Sequence, residues 1–389
     1  MLEIREVPLG GDITDFLEVA SYIYRHDPNY VRPLDMDLKD RLSPKKNPFF
    51  EHGEGTLFVA YKSGKPVGRI SAQIDRSHLE RHNDKRGFFG FFDTTNDEEV
   101  ARGLLARAER WLKERGVERV RGPMSLSINE EMGCLVEGFD SPPFVMMPHH
   151  NPYQADLIEH AGYAKDKDVF AWRYETGEMN TRVKKAQADF RAMPEVTSRP
   201  FSMKTLASDV EIAVDIFNDA WSENWGFVPI TRAEGQKMAS DFKLILMPEI
   251  TRMVYIDGEP AAMAIAIPNL NELVHDLGGS LFPTGVFKLL YRLKIQGARS
   301  GRLLLLGVRK KYRFVRKYAA MSLFLYAEMN DAGRRCGMTW GELSWTLEDN
   351  AAVNTAIKMM GAKKYKTYRL FTKELVADKA ASVAAEQAS

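Results

Sequence analysis

The chain has 389 residues, of which 44% are hydrophobic and 28% charged, with 54 Lys plus Arg against 53 Asp plus Glu. A prior of about 150 residues per domain suggests two or three domains. Such proportions exclude a disordered, collagenous or disulfide-built chain, and the near-neutral balance hides a local asymmetry that proves informative.

The opening residues, Met1-Leu-Glu-Ile-Arg-Glu, place acids where a signal peptide needs an apolar stretch, and no run approaches the roughly 18 apolar residues of a membrane span. A cytoplasmic chain is expected. Thr56 to Asp75 reads as a β-hairpin, two apolar runs about a Gly-Lys-Pro turn. In the loop from Asp93 to Glu99, Asn96 or Asp97 suits the N-cap of a helix reaching Gly116, with Glu98 and Glu99 in its first turn. Those carboxylates would repel a phosphate, so the first unit is expected to lack a CoA site. After a strand from Val117 to Gly122 comes a polar cluster, Ser125, Ser127, Asn129, Glu130 and Glu131, and then His149 and His150. Asn151 opens a helix that ends at Gly162, a residue suited to the C′ position, and a strand runs on to Tyr174.

Thr181 to Met193 reads as a polar connecting helix, broken by Met193-Pro194 and Arg199-Pro200. The earlier pattern then returns. Thr251 to Leu270 repeats the hairpin about a Gly-Glu-Pro turn, Met321 to Gly337 repeats the helix, Met338 to Leu347 the strand, and Asn350 to Lys373 the Asn, helix, Gly and final strand. The sequence thus predicts a duplicated α/β unit, residues 1–176 and 200–375, with a linker helix over 177–199 and a flexible Ala/Ser-rich tail at 376–389.

Between Leu277 and Ala327 there is no Asp or Glu, while Lys and Arg number eleven. The bland reading is a solvated face; the functional one is an anion site. Within this window Val286, Leu289, Leu290 and Leu293 share one helical face beside Lys288 and Arg292, which suits either a core-covering helix or an anionic membrane surface. Peripheral membrane contact through 286–317 is therefore expected, and the aliphatic character of the stretch argues against nucleic acid. Cys134 and Cys336 lack the paired spacing of a zinc site, so no metal is expected.

The order of hairpin, strand, helix, strand, then Asn, helix, Gly and a closing strand resembles the GNAT acyltransferase fold in both halves. The strings Asp27-Pro-Asn-Tyr-Val-Arg-Pro, Asn47-Pro-Phe-Phe-Glu-His, Arg121-Gly-Pro-Met-Ser-Leu-Ser-Ile-Asn-Glu-Glu-Met-Gly and Asn224-Trp-Gly-Phe-Val-Pro are similar to a bacterial tandem-GNAT family near the bacterial ceramide synthases. The resemblance implies a mixed α/β (α+β) fold of two tandem GNAT-like acyl-CoA N-acyltransferase domains. It also implies acyl-CoA as co-substrate and a lipid or small-molecule amine as acceptor, at the inner face of the membrane. Where that superfamily carries a tyrosine acid in its last helix, this chain has Ile158 and Ile357.

For the cofactor, the resemblance points to the second unit: Leu306, Val308, Arg309, Arg313, Arg316, Lys317, Ala319, Ala320 and Asn350. Glycines of the usual pyrophosphate loop are absent there, and the basic side chains would compensate by direct contacts. Thioester aminolysis needs a base, an oxyanion site and a proton for sulfur. Candidate catalytic residues are Glu342, on the strand expected to border the acyl site, and Glu130, Asn129 and His149 if the site lies between the units. Trp221, Trp225 and Phe227 read as core or as acyl-channel lining. A long-chain donor and a sphingoid amine fit best; a silent GNAT-fold binding protein and a small-amine N-acetyltransferase are the alternatives.

Overall fold

Strand alternation decides how each half is built. In the computed structural model, which describes residues 1–375, Leu57, Val59 and Tyr61 pack with Phe16 and Leu17, whereas their neighbours Phe58 and Ala60 pack with Leu104 and Leu105. Each face of the sheet thereby receives its own helices. The first half runs β1 (Leu2–Val7), α1 (Thr14–Ile23), α2 (Asp35–Arg41), β2 (Gly53–Lys62), β3 (Lys65–Asp75), α3 (Arg76–His82), β4 (Arg86–Thr94), α4 (Glu98–Lys113) and β5 (Arg119–Gly122). Short strands β6 (Met124–Ser125), β7 (Glu131–Met132) and β8 (Cys134–Glu137) precede α5 (Gln154–His160) and β9 (Ala164–Glu175).

The segment expected to be a linker is more firmly integrated than its polarity suggests. Helix α6 (Thr181–Arg191) buries Val183, Ala186 and Phe190, and Phe190 stacks on Phe324 with ring centroids 5.3 Å apart. Residues Val196–Arg199 form β10, which pairs antiparallel with the hairpin strand beyond it. Then follow α7 (Leu206–Trp221), α8 (Arg232–Phe242), β11 (Thr251–Ile256), β12 (Glu259–Pro268), α9 (Leu270–Val274), α10 (Gly285–Tyr291) and β13 (Ser300–Val308). Finally come α11 (Lys310–Arg313), α12 (Met321–Arg335), β14 (Trp340–Leu347), α13 (Ala351–Met359) and β15 (Lys363–Glu374). The tail expected to fray, 376–389, lies outside the described residues.

All but β6 and β7 join one 13-stranded sheet in the order β1-β2-β3-β4-β5-β15-β9-β14-β13-β12-β11-β10, with β8 also on β15. Only β4–β5 and β13–β14 are parallel. The sequence reading closed each unit with its own last strand, but the structure exchanges them. Strand β9, from the first half, pairs with β14, and β15, from the second, pairs with β5. The two exchanged strands pair with each other at the centre of the sheet, so the halves share a continuous hydrogen-bonded core.

The halves also differ between their third and fourth strands. Residues 76–85 hold only α3, whereas 269–299 hold α9 and α10. That longer connection crosses onto the first half: Asp35 donates its backbone N–H to Gly279 at 2.9 Å, Asn271 Nδ2 donates to the Pro143 carbonyl at 2.8 Å, and Val31 packs with Leu273, Val274 and Leu289.

Candidate active site

A cavity of about 500 Å³ lies on the α1–α2 side of the first half, within the size range of small-molecule sites. It is walled by the stretches after α1, by β4 at Phe91 to Asp93, by 123–133 and by 143–150. The second half closes it with α8, residues 242–245 and the α9–α10 connection. Phe91, Met132, Met147, Phe242, Ile245 and Leu289 give it an apolar interior. Three of the four strings that carry the family resemblance, those beginning at Asp27, Asn47 and Arg121, contribute lining residues.

Among the polar groups, His149 is placed for proton transfer. Its Nε2 lies 2.7 Å from Asp27 Oδ2, and the side chain is buried. A carboxylate can only accept, so Nε2 carries the hydrogen. Burial holds the imidazole below its ordinary pKa despite Asp27, so the ring is neutral at pH 7 and Nδ1 keeps its lone pair. Nδ1 has no partner among the described residues. The loop is pinned by His150, whose Nδ1 accepts the Leu135 N–H at 3.1 Å and whose pKa burial pushes down to about 4.

Tyr30 lines the same cavity, its ring 6.3 Å from that of His149 and stacked on Tyr24 at 4.6 Å. Burial raises its pKa, so the phenol stays protonated. Deeper in, Tyr24 donates to Asp93 at 2.5 Å and Arg69 pairs with the same carboxylate at 2.7 Å, a closed buried network that shapes the wall. Asp93 therefore holds Arg69 and Tyr24 and is not an open loop acid, as its sequence context suggested.

Glu130 and Asn129 also reach the cavity. Arg41 clamps Glu130 through Nε and Glu131 through Nη1, the latter at 2.9 Å, and burial raises the Glu130 pKa. Asn129 Nδ2 donates to the Val228 carbonyl at 3.2 Å and ties this loop to the second half. Ser125 and Ser127 accept the N–H groups of Phe91 and Asn129 at 3.3 and 3.1 Å, which leaves each O–H available as a donor.

Glu342 stands apart. It is fully buried on β14, accepts from Ser344 at 2.5 Å and from the Tyr365 hydroxyl, and lies 3.8 Å from Arg302. Arg302 in turn donates to the Val145 carbonyl on the cavity wall at 2.7 Å. Glu342 thus props the wall from behind and does not line the cavity.

The expected cofactor residues are distributed differently again. Arg309 donates to the Pro260 carbonyl at 2.9 Å and pairs with Asp215; Arg313 donates to the Ala220 carbonyl at 2.7 Å; Lys317 pairs with Glu195. Acids contributed by 195–259 thereby neutralise most of this basic loop. Arg316 has no partner among the described residues. Asn350 caps α13 by accepting the Val353 N–H at 3.3 Å. Ala319 and Ala320 lead into α12, which has no side-chain cap and no acid in its first turn. Leu303 to Leu306 of β13 are half-buried and Val308 is buried, and β14 pairs with this strand only as far as Leu303. Trp221 stacks on Phe217, Trp225 lies beneath Arg121, and Phe227 is core; none of them lines the cavity.

Asp27 and Tyr30 were quoted in the sequence only as part of a string. Their signal was an acid and a phenol on either side of Pro28-Asn29, but the histidine they approach lies more than a hundred residues away.

No family model matches the chain. The bacterial ceramide synthase of Caulobacter vibrioides (strain NA1000 / CB15N) is 38% identical over 381 residues, covering 96% of this chain and 98% of that protein. Protein YghO of Escherichia coli (strain K12) is 40% identical over 367 residues, covering 94% of this chain and 93% of it. The chain belongs to this family of tandem GNAT-fold N-acyltransferases. A solved tandem GNAT protein from the clavulanic acid biosynthesis pathway aligns over 97% of this chain and 100% of its own, with a TM-score of 0.58 at 12% identity, which confirms the fold. Family membership and fold agree with the duplicated order of elements in the sequence. Among the described residues no helix is long and apolar enough to cross a membrane.

Proposed function

We propose that this N-acyltransferase moves a long-chain acyl group from acyl-CoA to a sphingoid amine at the cytoplasmic membrane face, and that the chemistry occurs in the cavity of the first half. The observation that carries this reading is His149: a neutral, Asp27-oriented imidazole beside a large apolar cavity, with a buried Nδ1 that no described residue partners. Such a nitrogen accepts the proton from the attacking amine as the C–N bond forms. Asp27 fixes the tautomer and stabilises the imidazolium. The hydroxyls of Ser125 and Ser127 stabilise the oxyanion. Tyr30 protonates the departing sulfur as the C–S bond breaks, the task for which Ile158 and Ile357 are unsuited, and recovers its proton from His149. Ten additional methylenes buried in the cavity contribute on the order of 8 kcal/mol, which favours a long chain over acetyl.

A second reading rests on the open edge of β13 beyond Leu303 and on the uncapped start of α12 beside Arg316. It places acyl-CoA on the second half, its phosphates at the helix N-terminus. Five strand spacings of about 4.8 Å separate β4 from β13, roughly 24 Å, so the two readings put the thioester in different places. Mass spectrometry of products from palmitoyl-CoA or acetyl-CoA with sphinganine or a polyamine tests the substrate class. Palmitoyl-sphinganine is expected; preferential acetylation of the polyamine would overturn the assignment, and no product with any pair favours a silent binding protein.

A further inference from the structure

The long β12–β13 connection has two sides. Inward, Leu281 and Leu289 line the cavity and pack near Val31 of the first half. Outward, Phe282, Phe287, Tyr291 and Ile295 are 78, 71, 61 and 71% exposed, the last three spaced four residues apart along α10 and the turn that extends it. The face singled out in the sequence is divided: Leu289 and Leu293 pack into the core, as a core-covering helix would have them, Leu290 is 39% exposed, and the aromatic side chains are left in water. Large side chains in a row at helical spacing lose solvation free energy unless something covers them.

We infer that this outer face docks the protein on an anionic lipid bilayer and opens the cavity toward it. Three observations favour a bilayer. Lys294 and Arg299 are exposed beside the apolar row, within a stretch that has no acid from Leu277 to Ala327, as expected for a helix lying at an anionic headgroup layer, while Lys288 and Arg292 share the preceding Asp276. A second copy of the chain would bring the same cations face to face across a symmetric contact, which disfavours self-association. Met36 and Leu244, which line the cavity, are themselves more than half exposed, so the rim of the cavity is apolar as well. A lipid amine can then pass from membrane to cavity without crossing water. The basic loop at 309–317, also expected at the membrane, is mostly paired with the protein's own acids and is not part of this surface.

This inference rests on the lipid-acceptor reading above, and its test separates the two. The full chain and the Phe287→Ser/Tyr291→Ser/Ile295→Ser variant are sedimented with phosphatidylglycerol–phosphatidylcholine vesicles and with phosphatidylcholine vesicles alone. The same proteins are assayed on sphinganine in vesicles and on sphinganine in detergent micelles. The expected result is binding of the parent to the anionic vesicles, weakened by at least about tenfold in the variant, with activity lost in vesicles and retained in micelles. Equal sedimentation of parent and variant, no sedimentation of the parent, or a parent dimer that the variant disperses each overturns the docking surface. Ceramide formation in micelles with no vesicle binding sinks the docking inference alone; vesicle binding with no activity on sphinganine in either medium sinks the acceptor reading alone.

Discussion

Strands β4 and β13 hold equivalent places in the two halves and meet opposite fates past their parallel pairing. Beyond Phe88, the first half fills its own gap: Ser125 accepts from the Phe91 N–H, Gln154 donates to the Phe92 carbonyl at 3.1 Å, and Tyr153 to that of Thr94 at 2.9 Å. The helix that follows, α4, is capped by Asp97, which accepts from Glu99 at 3.0 Å. In the second half β13 keeps half-buried leucines and α12 starts without a cap. Yet the filled half carries a cavity of about 500 Å³, roofed by α8 and the α9–α10 connection of its neighbour. One half keeps an open edge, while the other carries a chamber that both halves build.

The largest way to break that comparison is His149→Ala. Loss of the proton acceptor should lower kcat by about 10²- to 10⁴-fold per folded molecule, read by the amide-forming assay on protein whose folded fraction is measured alongside. An unaltered rate would move the chemistry to the second half. The neutral ring also predicts an acid limb in kcat/KM below about pH 6.5, the ordinary imidazole value, because burial lowers the His149 pKa.

Glu342→Ala should act on stability instead. It leaves Arg302 buried opposite a missing charge, at a cost of about 3–5 kcal/mol in denaturant unfolding, while the folded fraction turns over normally. A stable but inactive variant would restore Glu342 as a base. Asp97→Ala, which uncaps α4, should cost about 1 kcal/mol without changing CoA affinity. Arg316→Ala sharpens the same contrast. The first-half reading expects unchanged acyl transfer, whereas weakening of CoA binding by about 1.5 to 3 kcal/mol would favour the second half.

A smaller, pH-dependent effect should come from His52, which bridges Asp75 of β3 at 3.1 Å and Glu234 of α8 at 3.2 Å and is raised to about 10 by those bonds. A raised folded-state value contributes stability that is complete below the ordinary value of about 6.5 and lost as pH rises through about 10. The stability gap between the parent and His52→Ala should accordingly close over that interval. A gap that is constant with pH would mean that the bridge holds no charge.

Much of the fold was legible because its signals are local. Hairpin turns at Gly64 and Gly258, Gly at positive φ after each last helix (Gly162 and Gly361), and the Asp97 cap all depend on residues within a few positions. The exchange of β9 and β15 was not legible, since either strand presents similar apolar alternation to either neighbour. At the candidate site, polar density singled out His149, Asn129 and Glu130 in the sequence, whereas Asp27 and Tyr30 join them at the cavity only through the tertiary fold. The partners of the basic loop were not legible either. The acid-free stretch suggested a phosphate cradle at 309–317, and Asp215, Glu195 and Glu259, remote in sequence, neutralise it.

The most direct test of where the reaction happens is a crystal structure with a non-hydrolysable palmitoyl-CoA analogue. The acyl chain is predicted among Phe91, Met147 and Ile245 with its carbonyl beside His149. Density for the chain between β13 and β14 beyond Leu303 would contradict a first-half active site.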